Sequence, residues 1–219
     1  MDIPILEVEN VSFSYGKKVV IKSFNLRIFR SDIIFLLGAN GCGKTTLLKI
    51  IDGLIIPNYG ILKFNGEPYK YNKSFLKKLR QNIGFVFQNP DVQIFAPTVI
   101  QELSFGLYSC EIQKNKLLEL TWEFLNSWGL EKYAYENPFK LSYGYKRLIT
   151  LASVLITFPS IVLLDEPTNY LDKRNHSFVL NKIKELADQN VTMIISTHDE
   201  KLIDLLSSRS KIIRMECDT

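Results

Sequence analysis

The segment Gly38-Ala39-Asn40-Gly41-Cys42-Gly43-Lys44-Thr45 follows the spacing G-x-x-x-x-G-K-[ST]. That spacing suits a phosphate. The glycines let backbone N–H groups turn inward around phosphate oxygens, and the helix that follows adds partial positive charge at its start. Lys44 supplies a full charge at the β- and γ-phosphates of a nucleotide, and the Thr45 hydroxyl can bind Mg²⁺. Asn40, Gly41, Cys42, Gly43, Lys44, Thr45 and Thr46 are therefore the candidate nucleotide contacts of this loop. A Gly-rich turn of purely structural use would contain the same glycines. The match, however, lies between an apolar run and a helix start, where phosphate binding needs it. Cys42 could be read as a nucleophile or redox switch, but the pattern asks nothing of its thiol, and it is read as filling an unconstrained position.

A second cluster is Ile161-Val162-Leu163-Leu164-Asp165-Glu166, four apolar residues and then two acids. A buried strand ending in paired carboxylates suits a nucleoside triphosphatase. Asp165 would hold Mg²⁺ through water, and Glu166 would polarise the attacking water. Many strands end in acids that only cap a helix or a turn, so this cluster takes its meaning from the loop at 38–45. No Asn/Thr-Lys-x-Asp guanine-reading motif occurs, which disfavours a GTPase.

The strands and helices around these groups are legible in outline. Residues 5–15 and 19–30 alternate apolar and polar side chains around Gly16-Lys17-Lys18, the pattern of a hairpin of half-buried strands. Residues 32–37 form an apolar, β-rich run ending at Gly38, a fully buried strand. A helix is expected over 44–54, stopped by Pro57 and Gly60, and further strands over 61–69 and 82–88. From Val99 to Leu130 the pattern is mostly helical, with apolar spacing in Leu117, Leu118, Trp122, Leu125 and Trp128. Helix 143–158, strand 160–165, helix 173–189, strand 191–197, helix 199–208 and strand 210–215 complete the chain. Strands alternating with helices imply parallel βαβ units in a layered sheet. One domain over 1–219 is expected, with 1–98 and 158–219 as the nucleotide-binding core and 99–157 as an inserted helical subdomain.

Composition agrees. The chain has 219 residues, 46% hydrophobic and 23% charged, with 14 Phe and 10 Tyr, which suits one packed core and argues against disorder. The net charge of +4 suits anionic ligands or an anionic membrane surface and falls far short of a nucleic-acid-binding signature. Cys42, Cys110 and Cys217 are odd in number and lack paired spacing, so neither a disulfide framework nor a metal site is indicated and a reducing cytoplasm fits. The start Met1-Asp2-Ile3-Pro4 lacks the features of a signal peptide. The longest apolar stretch, Leu151 to Leu164, is interrupted by Ser153, Thr157, Pro159 and Ser160, too broken to span a bilayer. A protein soluble by itself is expected, one that works at a membrane only from its surface.

With these motifs in this order, the chain resembles the ABC ATPase family along essentially its whole length. The resemblance implies an α/β P-loop NTPase fold with a layered mixed-sheet core, an N-terminal antiparallel β subdomain and an inserted helical subdomain. It implies ATP and Mg²⁺ as ligands. Tyr15 lies where the family has an aromatic that stacks on adenine, and Gln88 where it has the glutamine that links the ATP site, through the metal, to the transmembrane partner. Leu141-Ser142-Tyr143-Gly144-Tyr145 lies where the signature L-S-G-G-Q belongs, and Leu171-Asp172 where the D-loop does. His198, in Ser196-Thr197-His198-Asp199, lies at the switch histidine. The roles implied are Glu166, His198 and Gln88 in catalysis, and Thr45, Gln88 and Asp165 at the metal. Ser142, Gly144 and Asp172 would contact ATP held by another subunit. His176, in a helix rich in polar residues, is expected to be solvated.

Gln88-Asn89-Pro90-Asp91-Val92-Gln93-Ile94-Phe95-Ala96-Pro97-Thr98-Val99 is similar to the extended glutamine loop of energy-coupling-factor ATPases. Those drive vitamin and transition-metal ion importers with an integral membrane coupling protein and a substrate-binding membrane protein, which chooses the cargo. The implied partners are these two and a second ATPase subunit, at the cytoplasmic face of the membrane. Ile94 and Phe95 are expected to be exposed for the partner. Two departures stand out: Tyr143 and Tyr145 replace a Gly and the Gln of the signature, and the chain resembles the short versions, without an added C-terminal dimerisation segment. The alternatives are the ATPase of another ABC transporter class, which the residues at 88–99 discriminate, and a non-transport ABC protein, which usually has two fused units or long coiled coils. A further alternative is a subunit that binds ATP but hardly hydrolyses it: Glu166 and His198 argue against it, while Tyr145 leaves it open.

Overall fold

The computed structural model describes residues 3–108 and 112–216, so Cys110 and Cys217 lie outside the described residues. Two sheets organise it. Strands β1 (Leu6–Tyr15), β2 (Lys18–Ile28), β4 (Tyr59–Phe64) and β5 (Glu67–Pro68) form an antiparallel sheet in the order β2-β1-β4-β5. The expected hairpin at Gly16 is present. The expected strand over 61–69 is instead a second hairpin, because Asn65 and Gly66 both take positive φ, 50° and 77°, and turn the chain in two residues.

Strands β3 (Ile33–Leu37), β6 (Ile83–Val86), β7 (Ile161–Asp165), β8 (Thr192–Ser196) and β9 (Ser210–Arg214) form the second sheet, order β6-β7-β8-β3-β9. All its pairings are parallel, so the mixture of strand directions lies between the two sheets. The central strands β7 and β8 are buried at every position because both faces are covered. Phe35, Val86, Val162, Leu164, Met193 and Ile195 face one core. Ile34, Leu36, Ile83, Phe85, Ile161, Leu163 and Ile194 face the other.

Helix α1 (Lys44–Ile51), helix α2 (Lys73–Asn82) and the antiparallel sheet fill the second core. Sequence patterning leaves α2 out. Its apolar face is carried by Phe75 and Leu79, and its start is set by Asn72, whose side chain accepts a hydrogen bond from the Phe75 N–H at 2.9 Å. On the opposite face lie α3 (Val99–Leu107), α4 (Lys114–Ser127), α5 (Tyr143–Leu155), α6 (Lys173–Asp188) and α7 (Glu200–Leu206). Leu103, Leu107, Leu125, Trp128 and Leu148 join Val162 and Leu164 in one apolar cluster, so the helices of 99–157 share a core with the sheet. Among the described residues, no helix is long and apolar enough to cross a membrane.

Candidate functional site

In a parallel sheet every strand ends at the same edge, and the loops that follow converge there. The edge receives Gly38 after β3, Gln88 beyond β6, Glu166 after β7 and His198 beyond β8. Beside α1 these loops enclose a cavity of about 390 Å³, lined by Tyr15, Asn40, Gly41, Gly43, Lys44, Thr45, Thr46, Gln88, Asp165 and Glu166 together with Lys18 and Val20. Residues far apart in the chain thus meet at one cavity.

The phosphate loop is shaped by its glycines. Gly43 has φ of 100°, and a Cβ there would come within 2.9 Å of the Val20 carbonyl oxygen. A larger residue would be strained twice over, by backbone and by contact. Gly43 leads into α1, whose first N–H groups have no partner within the helix and face the cavity with the positive end of the helix dipole. The Lys44 ammonium donates to the Gly38 and Ala39 carbonyls at 2.6 and 3.2 Å and lies 3.2 Å from His198 Nε2. Cys42 is not at an unconstrained position: its side chain is buried in the core beneath the loop, and a Cβ on Gly38 would sit 2.7 Å from its Sγ.

The two carboxylates differ in environment. Asp165 is bound on both oxygens: the Thr45 hydroxyl donates to Oδ2 at 2.7 Å, and the Ser196 hydroxyl donates to Oδ1. Glu166 has φ of 47°, rare for a residue with a side chain, and its N–H is held by the Ser196 carbonyl at 3.0 Å. Its Oε1 lies 3.5 Å from His198 Nε2, and its Oε2 is buried without a hydrogen bond. Burial pushes the Glu166 carboxyl above its ordinary range, and the charges of His198 and Lys44 pull it part of the way back. A basic carboxylate with a free lone pair at the end of a phosphate cavity is equipped to accept a proton from water.

Among the described residues no group of three or more His, Cys, Asp or Glu could hold a metal ion. The oxygen donors Thr45, Gln88 and Asp165 nevertheless fit Mg²⁺, which takes few protein ligands and completes its shell with phosphate and water. Tyr15 lies at the cavity mouth, 52% exposed, with its ring held edge-on to Phe13 at 4.8 Å. One face of such a ring is available to a base.

Ser142, Gly144 and Asp172 do not line this cavity. They form their own cluster. Ser142 starts α5 with an exposed hydroxyl that makes no capping bond. Asp172 caps α6, accepting from the Asn175 N–H and from Asn175 Nδ2, both at 2.9 Å. Gly144 lets the two helix starts meet, since a Cβ there would lie 2.4 Å from Asn175 Nδ2. Two expectations need correction. His176 is not solvated: its Nε2 lies 2.7 Å from Asp199 Oδ2, joining α6 to the segment that carries His198. Burial alone would raise the Asp199 carboxyl, but its contact with His176 helps to hold it below its usual range. Ile94 is not exposed: it is 5% accessible, tucked under its loop, while Val92 and Phe95 are 68% and 56% exposed.

Two residues carry no motif that the sequence shows: Ser196, which binds the Asp165 carboxylate and the Glu166 backbone N–H, and Arg147, which is fully buried and holds the glutamine loop. An Arg in the apolar run of a helix is the only signal that could have found it.

A parallel-sheet P-loop fold with a phosphate loop and a carboxylate pair at one cavity, and a histidine 3.5 Å from the second carboxylate, defines a nucleoside-triphosphate-hydrolysing cassette. The sequence profile of the ABC transporter family matches residues 21–169, and the chain belongs to that family. The energy-coupling factor transporter ATP-binding protein EcfA of Methanosphaera stadtmanae is 36% identical over 210 residues, which are 95% of this chain and 76% of that one. The structure of cbiO1 from Clostridium perfringens, described as part of the ABC transporter complex cbiONQ, superposes with a TM-score of 0.81 at 32% identity, covering 98% of this chain and 85% of that one. The dimeric post-hydrolysis structure of the ATP-binding cassette MJ0796, bound to ADP and Pi, gives a TM-score of 0.85 at 25% identity, covering 98% and 97%.

Proposed function

We propose that this chain is the ATP-hydrolysing subunit of a membrane importer of the energy-coupling-factor type, which takes up a vitamin or a transition-metal ion. The observation that carries this reading is the loop from Gln88 to Val99. One end lines the nucleotide cavity, and the other exposes Val92 and Phe95, with Phe95 edge-on to exposed Phe105 at 4.6 Å. An apolar patch joined to a nucleotide site suits a helix of a membrane protein. The relatives named for energy coupling and the cbiO1 structure support the importer class. The subunit acts as a peripheral protein at the cytoplasmic face of the membrane. It pairs with a second ATPase subunit and binds an integral coupling protein and, through it, a substrate-binding membrane protein.

In hydrolysis, Lys44 and the start of α1 bind the phosphates, Tyr15 covers the base, and Glu166 orients the attacking water and accepts its proton. His198 fixes the Glu166 side chain from 3.5 Å away. Mg²⁺, held by Thr45, Gln88 and Asp165, would neutralise charge on the β- and γ-phosphates. Ser142 and the start of α5 serve the γ-phosphate of the second subunit.

Phe95→Asp tests the docking surface. The variant should fold as the wild type, because Phe95 is exposed, yet recover at least tenfold less membrane coupling protein in affinity purification, a loss of ~1.4 kcal/mol. Undiminished assembly would place the docking surface elsewhere.

A further inference from the structure

Three residues on one face of α5, at positions i, i+3 and i+4, grip the glutamine loop. The Tyr143 hydroxyl donates to the Gln88 carbonyl at 3.2 Å. The Lys146 ammonium pairs with Asp91 at 2.7 Å, with its side chain only 15% exposed. Arg147 donates from Nη1 to the Phe87 carbonyl at 2.6 Å and from Nη2 to the Gln88 carbonyl, and the same Nη2 lies 3.4 Å from the Glu166 carbonyl. Arg147 is 0% exposed. A buried cation is costly unless its donors are used, and here backbone carbonyls of two functional loops take both Nη groups while Nε is left without a partner, with Asp165 and Glu166 nearby to balance the charge. From the other side Gln93 closes the loop, accepting from the Phe87 N–H at 2.9 Å and donating to the Phe85 carbonyl at 3.0 Å.

We propose that Tyr143, Lys146 and Arg147 form a clasp that fixes the glutamine loop to the first turns of α5, and so act as positioning residues for Gln88. The Gln88 side chain then follows α5 as that helix moves, instead of moving freely at the cavity. Tyr143 stands where the signature motif has glycine, and a glycine has no hydroxyl to reach Gln88. The clasp is thus closed by the residue that departs from the motif. The functional half of this inference rests on the ATPase reading above, whereas the clasp itself is a property of the protein without nucleotide.

Hydrogen exchange on the nucleotide-free chain tests the clasp. The amides of Asp91, Val92, Gln93 and Ile94 bond within the loop. In Tyr143→Phe, which keeps the ring against Tyr170, and in Lys146→Met, these amides should exchange about fivefold faster, the size of one hydrogen bond. Amides in the middle of α5 and the melting temperature should stay at wild-type values. Arg147→Met should go further, and Arg147→Lys should restore part of the protection. If Arg147→Met fails to fold, the Tyr143 and Lys146 variants decide. Unchanged loop exchange in the double variant would overturn the clasp, and so would a uniform acceleration with a lowered melting temperature. Steady-state kinetics tests the positioning: kcat should fall severalfold in Tyr143→Phe while KM for ATP stays put. Faster exchange with unchanged kcat would overturn the positioning role. A wild-type protein that hydrolyses no ATP would refute the ATPase reading, and loop exchange would still judge the clasp.

Discussion

In the mechanism proposed above, Glu166 is the residue on which hydrolysis turns. Its positive φ swings the carboxyl out of the strand direction that Asp165 still follows, so adjacent acids serve different atoms. The strain is held by the Ser196 carbonyl on the Glu166 N–H, and burial keeps the carboxyl more basic than an exposed one. Glu166→Gln preserves the shape and removes the charge. It should bind ATP as the wild type does and hydrolyse it at least ~100-fold more slowly, the range of a positioned general base. Single-turnover hydrolysis of radiolabelled ATP measures this, and near-normal turnover would remove Glu166 from the mechanism.

At the scale of elements, α1 joins the phosphate loop to the core, and its C-terminal end carries a buried acid. Asp52 is 6% exposed. Burial pushes its carboxyl up from an ordinary 3.8 to about 7, against the pull of the Arg80 charge on α2. A raised folded-state value means the folded chain holds this proton where the unfolded chain has lost it. Stability therefore falls as pH rises from about 4 to 7 and is level above that, by at most about 4 kcal/mol from this group. Asp52→Asn should remove that slope. The variant should melt higher than the wild type at pH 8 and no higher at pH 4, which thermal unfolding at the two pH values measures. A wild-type advantage at pH 8 would show that the Asp52 charge is stabilised by its surroundings.

Across the whole molecule the chemistry is divided between two surfaces. The cavity holds the phosphate loop, the carboxylates and Gln88, and Ser142 is not among its lining residues. Ser142 instead opens α5 with a free hydroxyl and a free helix start, an unused donor set for a phosphate. In the proposed pairing with a second ATPase subunit, each chain would complete the other's site. Ser142→Arg should bind ATP in its own cavity and fail to dimerise with it, read by size-exclusion chromatography with light scattering. Dimers of this variant, or wild-type turnover by its monomers, would refute the composite site.

The phosphate loop, the acids at 165 and 166 and the alternation of strands and helices can be read from the order of residues alone. Each is written in local spacing: glycines before a Lys-Thr pair, apolar runs bounded by turns, acids at a strand end. Such spacing fails where a few residues carry an element, as in α2 with its two buried anchors, and where Asn65-Gly66 splits one apparent strand into two. Which side chains meet is settled by packing. Tyr143, Lys146 and Arg147 reach a loop 55 or more residues earlier in the chain, and Ser196 reaches Asp165 across 31. His176 finds Asp199, and Ile94 turns inward, because a helix face or a loop has no inside until its neighbours pack against it. Periodicity marks a face, but the partner of a buried polar group is set by strand order, and β6, β7, β8 and β3 lie side by side in an order the chain does not follow.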